Sequence, residues 1–220
     1  MNSPFSFEKY RTIVFDCDGV ILDSNKIKTL AFYEVTKDFG KEKADALVDF
    51  HLLNGGVSRN KKFKYFICHI LDEEYSEEKN AQLCKEYGEI VSKKLLSCKI
   101  NSSLLWLKKN FPNNNWLVVS GGNQVELRSI FKLRKIDILF EKGIYGSPDS
   151  KEEILDREIK KKNIIFPSLF IGDSKYDYLA SSQYNLDFLF LSKWTEFSDW
   201  KEFCNLKHIP FINSFDELEQ

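Results

Sequence analysis

Residues 12–20 read Thr-Ile-Val-Phe-Asp-Cys-Asp-Gly-Val, and this stretch decides the fold prediction. The run Thr12–Asp16 is apolar without alternation, which is typical of a parallel strand buried on both faces. It ends in Asp16, and Asp18 follows two residues later. Two carboxylates at a strand end cannot both be buried without a cation. Since Gly19 permits a tight turn behind them, the stretch predicts a strand that leads into an acidic, cation-binding corner.

Later stretches repeat the apolar pattern of the first strand. We predict three further strands and a shorter fourth at Trp116–Ser120, Leu169–Asp173, Asp187–Leu191 and Ile209–Ile212. Helical patterns separate them, which favours an α/β fold with a parallel sheet. One predicted helix carries Val125, Ser129/Ile130 and Leu133 on one face. Another is predicted to begin at Lys151, because Ser150 and Glu153 have the spacing of a capping box.

About ninety residues separate the first predicted strand from the next, far more than a usual strand-to-helix connection. Most of them show helical spacing. An insertion at the carboxyl end of the first strand would cover the ligand crevice of an open α/β sheet. We therefore predict a core of residues 1–23 and 98–220 and a helical lobe of residues 24–97. Within the lobe, the basic run of Arg59, Lys61, Lys62 and Lys64 is interpreted as a solvated helix face.

Composition excludes several classes of protein. The 32 basic and 33 acidic residues give a net charge of −1, so the chain is neither a polycation for nucleic acid nor an acidic disordered tail. No apolar run is long enough to cross a membrane, and Met1–Tyr10 lacks the apolar region of a secretory signal. The five cysteines form no Cys-x-x-Cys pair. We therefore expect a cytoplasmic protein without nucleic-acid or membrane partners.

Two further segments place groups that bind anions at strand or helix ends. In Ser120-Gly121-Gly122, a hydroxyl and backbone N–H groups at a predicted strand-to-helix turn can form an anion cradle. An ordinary turn is the alternative reading of this segment. Lys151 adds a positive charge at a helix start, where the helix dipole disfavours it, which hints at a special reason for its position.

Carboxylates complete the set. Asp173 ends the third predicted strand, and Asp177 follows about one helical turn later, although it could also be an ordinary first-turn acid. Together with Asp16 and Asp18, they supply the hard oxygen ligands that Mg²⁺ prefers. A metal corner beside a hydroxyl, a lysine and N–H donors is what phosphoryl transfer requires.

These motifs resemble the four ordered motifs of the haloacid dehalogenase superfamily. They are Asp16-x-Asp18-Gly19-Val20, Ser120, Lys151 and Gly172-Asp173-x-x-x-Asp177, and they span the chain from Asp16 to about Leu191. The helical insertion resembles the C1-type cap of the phosphoglycolate phosphatase and β-phosphoglucomutase branch. The resemblance implies a Rossmann-like parallel-sheet core, an inserted α-helical cap, and Mg²⁺-dependent hydrolysis of a phosphate monoester.

The resemblance also implies a role for each catalytic residue. Asp16 would be the nucleophile that forms an aspartyl-phosphate. Asp18 would protonate the leaving oxygen and then activate water. Ser120 and the Gly121 N–H would hold the phosphate, and Lys151 would neutralise the nucleophile and the transferring group.

The implied metal site consists of four aspartates. Asp16 and Asp173 would bind Mg²⁺ through their carboxylates, and Asp18 through its main-chain carbonyl. Asp177 would support the site from behind.

Departures from the family pattern separate the possible reactions. Asp18 favours phosphate esters over carbon–halogen bonds and phosphonates. The segment Gly56–Arg59 resembles that of β-phosphoglucomutases, whose arginine holds a substrate phosphate, so Ser58 and Arg59 are predicted to bind substrate. Lys28, also placed at the substrate, stands where those mutases carry a histidine, which favours hydrolysis.

The expected substrate is a small phosphorylated metabolite, with a sugar phosphate as the first candidate. We expect a monomer or homodimer. A phosphomutase and a non-catalytic binding protein of the same fold are the alternatives.

Overall fold

The structure, a computed structural model, describes residues 6–218, which contain a six-stranded parallel sheet. The strands are β1 (Thr12–Phe15), β2 (Asn115–Asn123), β3 (Ile144–Ser147), β4 (Ser168–Gly172), β5 (Asp187–Leu191) and β6 (Phe211–Ile212). Their order across the sheet is β3-β2-β1-β4-β5-β6, so the order reverses beside β1. The predicted α/β, Rossmann-like fold is confirmed. Residues 1–5 of the segment tested for a secretory signal lie outside the described residues.

Nine α-helices connect and flank the strands within the described residues. They are α1 (Asn25–Thr36), α2 (Lys41–Leu53), α3 (Arg59–Tyr65), α4 (Glu77–Leu95), α5 (Leu104–Asn110), α6 (Gln124–Leu133), α7 (Lys151–Lys160), α8 (Lys175–Gln183) and α9 (Trp200–Lys207). A π-helical turn, Phe66–Ile70, continues α3. No helix in residues 6–218 combines the length and apolarity needed to cross a bilayer.

Helices cover both faces of the sheet. Alternate residues of β1 point to opposite faces, so Ile13 packs on one side and Val14 on the other. The first side holds α5 and α6 and continues into the insertion, whereas α7, α8 and α9 cover the second side. Because both faces are covered, the central strands contain continuous apolar runs, which is the pattern that made them predictable.

The face predicted for α6 is right at Ile130 and wrong at Val125 and Leu133. Val125 and Leu133 are 76% and 66% exposed, whereas Leu127, Ile130 and Phe131 are buried. The buried residues are spaced three and four apart and turn towards the sheet, whereas the predicted set straddled the edges of this face. The beginning of the helix follows from Asn123, whose side chain accepts hydrogen bonds from the next N–H groups.

The insertion, here called the cap and taken as residues 24–97, leaves and re-enters the core at adjacent points. Leu22 and Ile100 form an antiparallel bridge, and the Asp23 N–H donates to the Lys99 carbonyl at 3.0 Å. Helices α1 to α4 pack together around aromatic rings, with the Phe32 and Tyr87 ring centroids 4.4 Å apart.

The solvated face predicted for α3 is wrong at Lys62 and at Arg59, whose side chain is only 15% exposed and pairs with Glu126. Lys62 is only 1% exposed, although Lys61 and Lys64 are exposed as predicted. Lys62 lies four residues before the buried Phe66 and beside the buried Phe63, so it shares the face that packs into the cap.

Candidate active site

Three aspartates converge at the carboxyl ends of β1 and β4. These strands are neighbours, and the Asp16 N–H donates to the Ile171 carbonyl at 2.9 Å, which fixes Asp16 beside β4. Asp173 follows β4 directly, and Asp177 lies in the first turn of α8. One carboxylate oxygen of each aspartate lies within 4.8 Å of the others, and all three residues are buried. The sequence predicts this convergence.

Lys151 reaches the same point from the start of α7. Its Nζ lies 2.6 Å from Asp16 Oδ1 and also donates to Asp177 Oδ1, and its side chain is fully buried. The predicted capping box of Ser150 and Glu153 is present and fixes the start of the helix. Asp177 is held on its other oxygen by the backbone N–H and hydroxyl of Ser174, at 3.1 and 2.7 Å.

The cluster carries more negative than positive charge. Burial, with the neighbouring carboxylates, raises the pKa of Asp16 to about 7 despite Lys151. Burial, followed by the charges of Asp16 and Asp177, raises the pKa of Asp173 well above its usual value. Although burial opposes it, the two carboxylates that contact Lys151 raise the pKa of its ammonium.

A divalent cation fits these residues. Three buried carboxylates face the single ammonium of Lys151, so full ionisation of the three would leave two negative charges for a cation to compensate. The donors are hard carboxylate oxygens, the type that Mg²⁺ binds. Asp173 is further oriented by the Asn25 side chain, whose amide donates to Oδ2 at 2.6 Å.

Gly19 is required by the close approach of the first and last motifs. Its φ is +77°, and a Cβ there would lie 2.0 Å from Asp173 Oδ2. A side chain at this position would push Asp173 away from the other carboxylates.

The Asp18 side chain turns towards the cap. The Ser24 hydroxyl donates to Oδ1 at 2.6 Å, and the Lys28 ammonium donates to Oδ2. Burial alone would raise the pKa of Asp18, but Lys28 and Ser24 outweigh it and lower the pKa. Lys28, which was predicted to bind substrate, thus forms an ion pair with Asp18, the residue expected to act as acid and base. Lys28 also lines the cavity.

The Ser120–Gly122 segment is not the predicted strand-to-helix turn. The strand continues through a bulge to Asn123, which caps α6. Ser120 is fully buried, and its hydroxyl accepts the Gly122 N–H at 3.0 Å. Gly121 faces the cap: a Cβ on it would lie 2.0 Å from the carbonyl oxygen of Gly56, in the loop between α2 and α3.

Arg59, at the start of α3, spans from the cap to the core. Its two terminal nitrogens donate to the two carboxylate oxygens of Glu126 on α6, at 2.8 and 2.6 Å. The guanidinium also lies 5.6 Å from the Tyr87 ring centroid. Ser58 precedes the helix and makes no side-chain capping bond. The predicted phosphate-binding arginine is therefore held by a carboxylate in this structure.

A cavity of about 330 Å³ lies between the cap and the carboxyl edge of the sheet. Its wall includes most of the predicted site residues: Asp16, Asp18, Lys28, Arg59, Gly121 and Asp173. Among the described residues, the wall does not include Ser58, Ser120, Lys151 or Asp177. Lys151 lies behind the wall, where it contacts the wall residue Asp16 and also Asp177.

The polar wall residues that sequence reasoning did not assign to the site include Asn25, His51, Lys62 and Glu126. The spacing of Lys62 relative to Phe63 and Phe66 could have revealed it, because these residues share a helix face. The other three carry no comparable local pattern.

Comparison with known proteins gives one family and many similar folds. Residues 13–191 match the profile of the family described as haloacid dehalogenase-like hydrolase. A search of curated proteins finds no match.

Three solved structures illustrate the shared fold. A predicted phosphatase from Clostridium acetobutylicum is 23% identical, with a TM-score of 0.73 and coverage of 95% of this chain and 96% of that one. A β-phosphoglucomutase from Clostridium difficile is 19% identical (TM-score 0.70, coverage 95% and 93%). A predicted phosphoglycolate phosphatase from Haemophilus somnus is also 19% identical (TM-score 0.63, coverage 84% and 87%). These identities establish likeness of fold.

Proposed function

The chain belongs to the haloacid dehalogenase-like hydrolase family, and we propose that it is a Mg²⁺-dependent phosphatase acting on a small phosphorylated metabolite. The observation that carries this proposal is the buried contact of Lys151 with Asp16, beside Asp173 and Asp177. An ammonium and three carboxylates at one cavity end suit a phosphoryl group bound together with a divalent cation.

Asp16 is the proposed nucleophile. One of its carboxylate oxygens attacks phosphorus, a new O–P bond forms, and the bond to the leaving oxygen breaks. Asp18 gives its proton to that leaving oxygen. In the second step Asp18 takes a proton from water, the water oxygen bonds to phosphorus, and the bond to Asp16 breaks to release inorganic phosphate. Lys28 favours the ionised form of Asp18, which the second step requires, whereas the first step requires the protonated form.

Asp16, Asp173 and the main-chain carbonyl of Asp18 would hold Mg²⁺, and Asp177 would support the site through Lys151 and Ser174. When bound, the ion supplies positive charge that offsets the charge of the phosphate oxygens. Lys151 holds the Asp16 carboxylate in place and offsets part of its charge.

The cap accounts for the proposed restriction to small substrates. It closes the cavity over the sheet edge, so substrate bound there is shielded from bulk water. The Gly56–Arg59 segment, by its resemblance to mutases, makes a sugar phosphate the first candidate. For the same reason a phosphomutase is the second candidate, although both terminal nitrogens of Arg59 donate to Glu126 and not to a substrate phosphate.

A phosphate-release assay tests the proposal. Purified protein with MgCl₂ is incubated with a panel of sugar phosphates and other small phosphate esters, with EDTA as the metal-free control. We expect Mg²⁺-dependent release, and Asp16→Asn should lower kcat by at least about 1,000-fold while the protein stays folded. Transfer between sugar positions without release would favour the mutase. Full activity of the Asp16→Asn variant would refute the assignment of Asp16 as the nucleophile.

A further inference from the structure

The cap side of the cavity contains a buried lysine that the proposed phosphatase chemistry does not use. Lys62 is 1% exposed and lines the same cavity as Asp16. Its ammonium is therefore removed from bulk water but borders the space that a substrate would fill. The Phe32 ring lies beside it, with 5.5 Å between Nζ and the ring centroid.

Lys62 differs in its partner from the other poorly exposed cations at the cavity; Lys175, which also lines the wall, is exposed. Lys28, Arg59 and Lys151 each form an ion pair with a carboxylate. Within residues 6–218, no carboxylate oxygen lies within ion-pair distance of Lys62. A buried ammonium without an anion is costly, so the site is complete only when an anion approaches from the cavity.

The contact that Lys62 does make orients it as a donor. Its Nζ lies 2.6 Å from His51 Nδ1, and His51 Nε2 lies 3.0 Å from the Thr29 hydroxyl. That hydroxyl donates to Glu196 at 2.5 Å, so Nε2 of His51 must donate to Thr29 and Nδ1 accepts from Lys62. Burial, followed by the charges of Lys62 and Lys28, lowers the pKa of His51 well below its usual value, which favours the neutral ring. The other N–H groups of Lys62 are left for a ligand.

We propose that Lys62, positioned by His51, binds a second negatively charged group of the substrate, either a carboxylate or another phosphate. This inference rests on the proposed phosphatase function, because the phosphoryl group that reacts occupies the Asp16 end of the cavity. A volume of about 330 Å³ suits a small molecule with an anionic group at each end. The substrate class is thus narrowed from phosphate monoesters in general to those with a second anion.

The electrostatics of Lys62 agree with this assignment. Burial, and then the charge of Lys28, lower the pKa of Lys62 to about 7, although Asp18 acts in the opposite direction. An anion beside the ammonium would favour its charged form.

Matched phosphate esters provide the test. Propyl phosphate and 3-(phosphonooxy)propanoate each carry one reacting phosphate and differ in the group at the other end. Propane-1,3-diyl bisphosphate carries two equivalent phosphates, so its kcat/KM is halved for the comparison. The series is repeated with chains of two, four and five carbons. We expect kcat/KM to be about 10- to 100-fold higher for an anionic ester than for the alkyl ester of equal length, chiefly through KM. The carboxylate and bisphosphate arms identify which anion the site prefers.

Substitutions test whether Lys62 causes the preference for esters with a second anion. Lys62→Met should bring the ratio of kcat/KM between anionic and alkyl esters close to one. Lys61→Met removes an exposed charge from the same helix and should keep the ratio of the wild type. Equal ratios in wild type and Lys62→Met, or no preference at any chain length, would overturn the inference.

Binding separates this inference from the proposed function. The Asp16→Asn variant is titrated calorimetrically with the same esters, and the double variant with Lys62→Met is the comparison. If the wild type hydrolyses no ester but Asp16→Asn binds the anionic esters through Lys62, the phosphatase proposal fails and the anion site stands. If hydrolysis occurs without preference for a second anion, the phosphatase stands and the anion site fails. If the protein shows neither hydrolysis of any ester nor binding of the anionic esters, both proposals are refuted.

Discussion

At the scale of single residues, the ion pairs of Lys151 determine the state of the proposed nucleophile. The ammonium contacts Asp16 and Asp177 at once, and its side chain and that of Asp177 are fully buried. Removing one partner from a buried pair is far more costly than losing a surface pair, because the remaining charges keep their desolvation cost.

We predict that Lys151→Met lowers the free energy of unfolding in EDTA by about 3–5 kcal/mol. Urea denaturation measures this change. Lys160→Met on the same helix is the matched control, because Lys160 is 73% exposed and forms a surface ion pair with Asp156, so its removal should cost no more than about 0.5 kcal/mol. Equal midpoints for Lys151→Met and the wild type would contradict the assigned role.

The pKa of Lys62 predicts how substrate affinity depends on pH. Lys28, Asp18 and His51 are the charged or titratable groups that face its ammonium. The free site has a Lys62 pKa of about 7, and a bound anion raises it, so binding takes up a proton above pH 7. Affinity for the second anion therefore stays constant below pH 7 and weakens above it, by up to about tenfold per pH unit.

Calorimetric titrations of Asp16→Asn at pH 6 to 9 check this dependence. The relevant quantity is the Kd of 3-(phosphonooxy)propanoate relative to propyl phosphate, since the shared phosphate cancels. The ratio should become independent of pH in the variant that also carries Lys62→Met. A dependence that survives this substitution would assign the titration to another group.

At the scale of elements, the loop between α2 and α3 packs directly against the bulge of β2. The carbonyl of Gly56 occupies the space that a Cβ on Gly121 would need. This backbone contact joins cap and core beside the cavity. The distance between the Gly56 carbonyl and Gly121 therefore sets how closely the cap covers the site.

We predict that Gly121→Ala displaces the cap loop and lowers kcat/KM by about 100-fold, the scale expected for a misplacement of about 1 Å. Gly55→Ala in the opposing loop is the control, because a Cβ there would meet only Ser174, at an ordinary 3.4 Å. Steady-state kinetics and melting temperatures of both variants provide the test. Wild-type kcat/KM in Gly121→Ala would show that this contact does not govern closure.

The elements also show which parts of the fold can be predicted from sequence. Strands β1, β4 and β5 were predictable because burial on both faces makes them apolar after their polar first residues. Strand β3, Ile144–Ser147, was missed because its four residues include a glycine and a serine. A lysine side chain is ordinarily exposed, so the residue type does not predict that Lys62 is buried. The spacing of Lys62 from Phe63 and Phe66 is the feature of the sequence that indicates its burial.

At the scale of the whole molecule, widely separated motifs come together because parallel strands end at one edge of the sheet. Asp16 and Asp173 could be placed together from sequence for this reason, since each follows an apolar strand. The pairing of Arg59 with Glu126 could not be predicted, because it depends on how the cap sits on the core across 67 residues of sequence. Ser120 was misplaced because bulges leave little trace in sequence.

The excess of carboxylates at the sheet edge predicts that Mg²⁺ stabilises the folded chain. At a concentration of 100 times its Kd, the ion should add about 2.7 kcal/mol to the free energy of unfolding. Asp173→Asn should abolish this increment, whereas Asp45→Asn, at an exposed position of α2, should retain it. Urea denaturation with and without MgCl₂ measures both, and an equal increment in Asp173→Asn would place the ion elsewhere.

Covalent phosphorylation of Asp16 is the central claim, and the Asp18→Asn variant tests it most directly. With para-nitrophenyl phosphate, whose leaving group needs no proton, this variant should still transfer the phosphoryl group but lack the base that activates water. Acid quenching followed by peptide mass spectrometry should then find a hydroxylamine-labile phosphoryl group on Asp16. Turnover by the wild type without such a group on Asp16 in the variant, or with the group on another residue, would contradict the account.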